Sequence, residues 1–274
     1  MMVTQGKRWI LWCFALMFAA SSQAAVSDKS LNELLSASGV EQMVNEFPQT
    51  VKLGLVEAFK QQPDTSQKEV DDMIRAMDET IVPEQIIAEI KQSLSEKLSD
   101  AEVSSLLAWY RSPLGRAFTE AESNSSTEEA FAAMSQEAPA LLKRKALMDQ
   151  VGQIETLMDL TTLTVDFFEK VQLAVFAGLM SVMEPQAPVG LEVMQKELDA
   201  VRKQSEANVE QMMKVSLAYA YKDFTPEEMD KYIAFLSTPE AKKFNLTATQ
   251  SMFNSLEKSF HNWAKKMGAD VDEV

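Results

Sequence analysis

Phe224-Thr-Pro-Glu-Glu-Met-Asp-Lys-Tyr-Ile-Ala-Phe-Leu-Ser-Thr-Pro-Glu-Ala-Lys-Lys-Phe244 has a near-copy 126 residues earlier, Leu98-Ser-Asp-Ala-Glu-Val-Ser-Ser-Leu-Leu-Ala-Trp-Tyr-Arg-Ser-Pro-Leu-Gly-Arg-Ala-Phe118, aligned without a gap. Each copy opens on a hydroxyl residue three positions before a glutamate, Ser99 with Glu102 and Thr225 with Glu228. That spacing is a capping box: the hydroxyl accepts from a free backbone N–H while the carboxylate reaches back. An apolar stripe at helical spacing follows, Val103, Leu106, Leu107 and Tyr110 in one copy, Met229, Tyr232, Ile233 and Leu236 in the other. Ser112-Pro113 and Thr238-Pro239 then stop one helix and start the next. A residue before proline avoids the α region, and proline suits the first helical position behind a Ser or Thr cap. Trp109 and Phe235, with Phe118 and Phe244, are matching aromatics expected to fill the corner. Every feature of the motif is a cap, a corner or a core position, so it predicts structure and not chemistry.

The match runs further. Glu84-Gln-Ile-Ile87 lines up with Glu210-Gln-Met-Met213 at the same offset, and Leu31 and Leu34 with Leu157 and Leu160. Gln67 to Asp71 lines up with Gln195 to Asp199 at an offset of 128. An internal duplication is expected, its unit a small domain and not a short solenoid repeat. No strand-like alternation of useful length occurs, and the predicted fold class is all-α.

Residues 1–24 read as a secretory signal: Lys7 and Arg8, a short apolar run from Ile10 to Ala20, and Ser22-Gln-Ala24 as the cleavage site. The run is short for a membrane span. Mature residues from Ala25 would carry no cysteine, since Cys13 leaves with the signal, so an exported chain must rely on its core and not on disulfides. Loss of Lys7 and Arg8 takes the net charge from −15 to −17. Such a chain is a poor ligand for nucleic acid phosphates. The expected organisation is an N-terminal helical repeat over 25–138, a connecting helix and a second repeat over 139–267, with the seam at Ala138-Pro139, and an acidic tail over 268–274.

Leu163 to Met183 is the most apolar mature stretch, while Asp166, Glu169 and Lys170 argue against a membrane span. It reads first as a central buried helix. Its functional reading is a groove wall for lipid or an apolar peptide, with Phe167, Phe168, Val171, Val175, Leu179, Met180 and Met183 as the candidate contacts. His261 is the single histidine, which leaves no His/Cys zinc set and no Cys–His dyad. Asp71-Asp72 and Glu227-Glu228 stand near helix starts, where acids favour the dipole. No phosphate loop, nucleophile elbow or dinucleotide fingerprint is present.

The two motif blocks resemble the DUF2059 family, a group of exported bacterial domains without an assigned activity. The family pattern is an aromatic, a Thr/Ser-x-x-Glu cap, an Ile-Ala-Phe-Tyr-like stretch, Ser/Thr-Pro-x-Gly and a basic residue. The second copy has Phe224, Thr225, Glu228, Ile233-Ala-Phe235, Thr238-Pro239 and Lys242, with Ala241 in place of glycine and Leu236 in place of tyrosine. The first has Ser99, Glu102, Ala108-Trp-Tyr110, Ser112-Pro113, Gly115 and Arg116, with Leu98 in place of the aromatic. The resemblance implies a helical fold, a periplasmic address and no catalytic residues. The leading expectation is a non-enzymatic periplasmic binding or assembly factor, adaptor or chaperone-like. Its apolar groove in the second half would take an unidentified protein, an envelope protein or exported client, without a cofactor. A lipid or small apolar ligand carrier is the second reading and a hydrolase with a carboxylate site the third.

Overall fold

The fold is all-α. The computed structural model describes residues 26–60, 66–183 and 190–268, so the signal segment, Ala25 and the tail beyond Gly268 lie outside the described residues. Among the described residues the order is α1 (Asp28–Ala37), α2 (Val40–Lys60), α3 (Gln67–Thr80), α4 (Pro83–Lys97), α5 (Asp100–Tyr110), α6 (Pro113–Asn124), α7 (Glu128–Leu141), α8 (Lys145–Met158), α9 (Leu160–Met183), α10 (Leu191–Ala220), α11 (Pro226–Leu236) and α12 (Pro239–Lys266). None of these helices is long and apolar enough to cross a membrane.

The helix boundaries follow from local chemistry. Ser99 accepts from Glu102 N at 3.3 Å while Glu102 Oε2 accepts from Ser99 N at 2.8 Å. Thr225 and Glu228 repeat this at 3.3 and 2.9 Å. Ser112 and Thr238 cap the helices that Pro113 and Pro239 begin, accepting from Gly115 N at 2.9 Å and Ala241 N at 3.3 Å. Gly39 and Gly268 take positive φ, 80° and 96°, just past α1 and α12, the left-handed ending that glycine tolerates best. Asp159, with φ 50°, turns α8 into α9.

Two boundaries differ from the sequence expectation. The helix begun at Pro113, expected to reach towards Met134 with a loosening across the polar segment 122–127, ends at Asn124, and Thr127 caps a new helix by accepting from Ala130 N at 3.2 Å. Ser125 Oγ turns back to Glu122 O at 2.7 Å, the kind of local bond that competes with a continuing helix. The expected seam at Ala138-Pro139 lies inside α7, and the chain turns three residues later, before α8. Leu142 is an exposed cap residue, and α8 buries Leu147, Val151 and Ile154.

Two cores hold the helices, and each joins residues far apart in the chain. The first is built from α1 to α5, closed by α9 and α12: Leu34, Met73, Ile90, Leu94 and Leu106 meet Phe244, Leu256, Phe260 and Trp263. Small residues on α12, among them Ala248, Ser251 and Ser255, are buried where α4 and α9 come close. Ser251 Oγ lies 3.0 Å from Ser93 Oγ. The second core joins Phe118 of α6 and Leu141 of α7 to α8, the end of α10 and α11. The two meet at Trp109, which stacks on Phe235 at 4.5 Å and 7°. Burying aromatic faces this way adds to the apolar transfer energy.

The motif copies are also tied by charge. Lys243 of α12 bonds Glu102 of α5. That bond, with the Ser99 backbone and hydroxyl, holds the Glu102 carboxyl down to about 2 from its ordinary 4.5. A lowered folded-state value stabilises above the unfolded value and fades as pH falls through the folded one. Glu102→Gln is thus expected to lower stability at pH 7 and to have lost most of that effect near pH 2. Urea unfolding at the two pH values checks this, and an equal loss at both would refute it.

Candidate functional site

Among the described side chains, the apolar stretch proposed from sequence is mostly covered. Phe167 is 6% exposed and stacks on Phe253 of α12 at 4.4 Å. Val171 and Val175 pack against the first core, and Met180 is half-buried. Among the described side chains of this set, Phe168 alone is exposed. The side chains of Leu179 and Met183 lie outside the described residues. The burial has a physical reason: α9 packs against both α12 and α10. Phe167 still touches a cavity of about 270 Å³ between α9 and α12, edged by Asp166, Lys170, Gln250 and Glu257.

The larger opening lies elsewhere. A groove of about 780 Å³ separates α7 from α10. One wall is Ser125, Ser126, Phe131, Met134, Ser135 and Ala138; the other is Asn208, Gln211, Met212, Met213, Val215 and Ser216. Phe131 is 55% exposed and Met212 48%, while Met134 is buried at the floor. Large apolar side chains facing each other across open solvent mark an interaction site more often than a packing accident. Methionine adds thioethers that adapt to irregular partners. The polar part of the lining is hydroxyl and amide, with no charged residue among these twelve.

The groove follows from the helix break. The blocks aligned 126 residues apart lie in different settings: Glu84 to Ile87 begin α4, and Glu210 to Met213 lie well inside α10. Ile86 is 1% exposed because the unbroken α12 lies along α4, whereas Met212 at the matching position is open. On α10's side the stretch 126 residues before α12 is split at Asn124–Thr127 into α6 and α7. The walls are pinned at one end. Lys222 reaches both Glu137 oxygens at 2.8 Å, and its ammonium lies 3.9 Å from the Tyr219 ring centre. Arg144 donates to Lys222 O at 2.7 Å. The Glu137 contact raises the Lys222 ammonium above its ordinary value.

Below the groove lies a carboxylate that sequence reading passed over. Glu122, at the end of α6, accepts from Tyr221 Oη and Tyr232 Oη, each at 2.6 Å on Oε1. Phe118 stacks on Tyr232 at 4.2 Å and on Phe224 at 4.0 Å, and meets Tyr221 edge-on at 5.5 Å. Burial pushes the Glu122 carboxyl above its ordinary value, and the two phenol bonds pull the other way. Burial first, then the Glu122 charge, pushes both phenols well up.

His261 is half-buried on α12. Among the described residues no cluster of three His, Cys, Asp or Glu side chains is spaced to hold a metal. Asp71 and Asp72 sit in the early turns of α3, bonded to Gln67 and to Lys68 and Arg75. Glu228 is engaged in its capping box. No curated protein and no solved structure matches this chain. Residues 84–144, from the start of α4 to just past α7, match the family described as "Uncharacterized protein conserved in bacteria (DUF2059)", and it is to this family that the segment carrying the first motif and one groove wall is similar.

Proposed function

We propose that the protein is a non-enzymatic binding factor that takes an apolar segment of another protein into the α7–α10 groove. The carrying observation is the pair Phe131 and Met212, exposed on opposite walls of an opening of about 780 Å³. A helical occupant is favoured because the matching helix pair, α4 and α12, is a helix packed against a helix. The signal-like residues 1–24 support a periplasmic address, and with it an envelope protein or exported client as the partner.

The two halves are proposed to be duplicated copies. Support comes from the 126-residue offset, the twin capping boxes and the stacking of Trp109 on its counterpart Phe235. Phe118 packs on Tyr232 of the other copy, and Phe244 on Tyr110 of the first. Of these contacts, Trp109 on Phe235 joins matched positions, as a two-fold arrangement would.

The test is binding of a labelled, permanently unfolded reporter, reduced and carboxymethylated α-lactalbumin, followed by fluorescence anisotropy. Phe131→Glu with Met212→Glu is expected to weaken binding at least about tenfold. Unfolding free energy should move by no more than about 0.5 kcal/mol per exposed site. Undiminished binding by a folded double variant overturns the reading. Lipid carried by the wild type in native mass spectrometry, and lost in the double variant, would move it to an apolar-ligand carrier.

A further inference from the structure

Glu122 stands three residues before the Ser125-Ser126 turn that lines one groove wall, and Tyr221 comes five residues after Ser216 on the other. Its carboxyl therefore joins the end of α6 to the end of α10 and, through Tyr232, to α11. The groups around it are named by element. Tyr221 closes α10, Tyr232 belongs to α11, and Tyr110 of α5 is the next phenol. On α6 itself Arg116 is exposed, as is Glu120. Lys222 turns to Glu137 of α7. Among the described residues no lysine, arginine or histidine is bonded to the Glu122 carboxyl.

Glu122 is half-buried, and a carboxylate held against Tyr221 and Tyr232 without a cation is in a poor place to be charged. The neutral acid escapes that desolvation cost and keeps both partners, its carbonyl oxygen accepting from the two phenols in bonds weaker than those to the carboxylate. We infer that Glu122, Tyr221 and Tyr232 form a proton-operated latch, closed when the carboxyl is protonated and loosened when it ionises. Opening lets water reach the charge and frees the α6 end and its Ser125-Ser126 turn from the α10–α11 corner.

The direction follows from linkage. The carboxyl binds its proton more tightly in the closed state than in the opened one, where it returns to its ordinary value of 4.5. Closure is thus favoured in full below that ordinary value, and the favour is lost as pH rises through the raised closed-state value. Opening is local, at one corner, and leaves the first core intact.

The experiment is amide hydrogen exchange read by mass spectrometry between pH 4.5 and 8.5, corrected for intrinsic rates. It needs no groove ligand, so it can fail without touching the binding reading. In the wild type, protection of 119–126 and 217–232 is expected to fall at least about tenfold across the range, a change of about 1.4 kcal/mol. In Glu122→Gln, which keeps a carbonyl acceptor and has no proton to lose, protection should stay high and flat. An equal pH dependence in the two proteins overturns the latch. Should Glu122→Gln not fold, Tyr232→Phe decides. It removes a bond that lowers the carboxyl's value, so the midpoint must move to higher pH, and an unmoved midpoint overturns the proposal equally.

Discussion

Trp263→Ala is expected to destabilise the protein by about 3–5 kcal/mol, the usual range for deleting a buried large aromatic. Trp263 has no exposed surface. It stands where α12 meets both α3 and α9. Its indole Nε1 donates to Met73 O at 3.1 Å. Its ring lies so close to Gly178 that an added Cβ there would approach Cζ3 to 2.7 Å. Alanine would leave a cavity walled by three helices and withdraw a donor from a buried carbonyl. At about 2–4 °C per kcal/mol for a chain of this size, the melting midpoint should fall by about 6–20 °C. Trp263→Phe should lose less, since it fills most of the volume and gives up the hydrogen bond. Thermal and urea unfolding followed by circular dichroism measure both. A loss under about 1 kcal/mol for the alanine variant would mean that the junction of α3, α9 and α12 is not where the first core is closed.

Gly115→Ala is the second large effect, and its sign opposes helix propensity. Alanine is better than glycine inside a helix by about 0.8–1 kcal/mol. At Gly115, however, a Cβ would lie 2.1 Å from Trp109 O, 2.8 Å from its carbonyl carbon and 3.1 Å from Tyr110 Cα. All three are backbone atoms, so no rotamer change relieves the clash and the α5–α6 corner must open. Overpacking of this kind costs about 1–3 kcal/mol. It would also shift Trp109, whose ring stacks on Phe235 at the meeting of the two cores. The second corner supplies the control. Ala241 occupies the corresponding position and is fully buried, so that corner already admits a methyl group. Ala241→Gly should therefore cost only about 1 kcal/mol. Paired denaturation curves decide the matter, and a stabilised Gly115→Ala would contradict the close approach of α5 and α6.

What could be read from the sequence was local. Ser99, Thr225, Ser112-Pro113 and Thr238-Pro239 act on backbone groups within three residues of themselves, so their spacing alone determines helix ends. The apolar character of α9 correctly signalled burial but could not say by what, and α12 and α10 cover it. The groove stripes were present as well: Phe131, Met134, Ser135 and Ala138, and Asn208, Gln211, Met212 and Val215, each at spacings of three, four and seven. Nothing in such a stripe separates a covered face from an open one. That difference arises from the break at Asn124–Thr127, where serine and threonine side chains bond their own backbone. Glu122 was hidden for the same reason. It begins a polar run that looks like surface, and its phenol partners are 99 and 110 residues away.

The placement of α12 has a consequence for how the molecule is made. Met73 and Trp263 are joined across 190 residues, and the helices that first bury Leu34, Ile90 and Leu94 lack their cover until that distance has been synthesised. A chain that emerges amino terminus first, from a ribosome or across a membrane, presents this unfinished apolar surface throughout its passage, which is when aggregation competes best. Pairings this distant in sequence also form slowly. The part of the chain that is born first is thus completed by a helix born nearly last, and maturation is an event of the whole polypeptide.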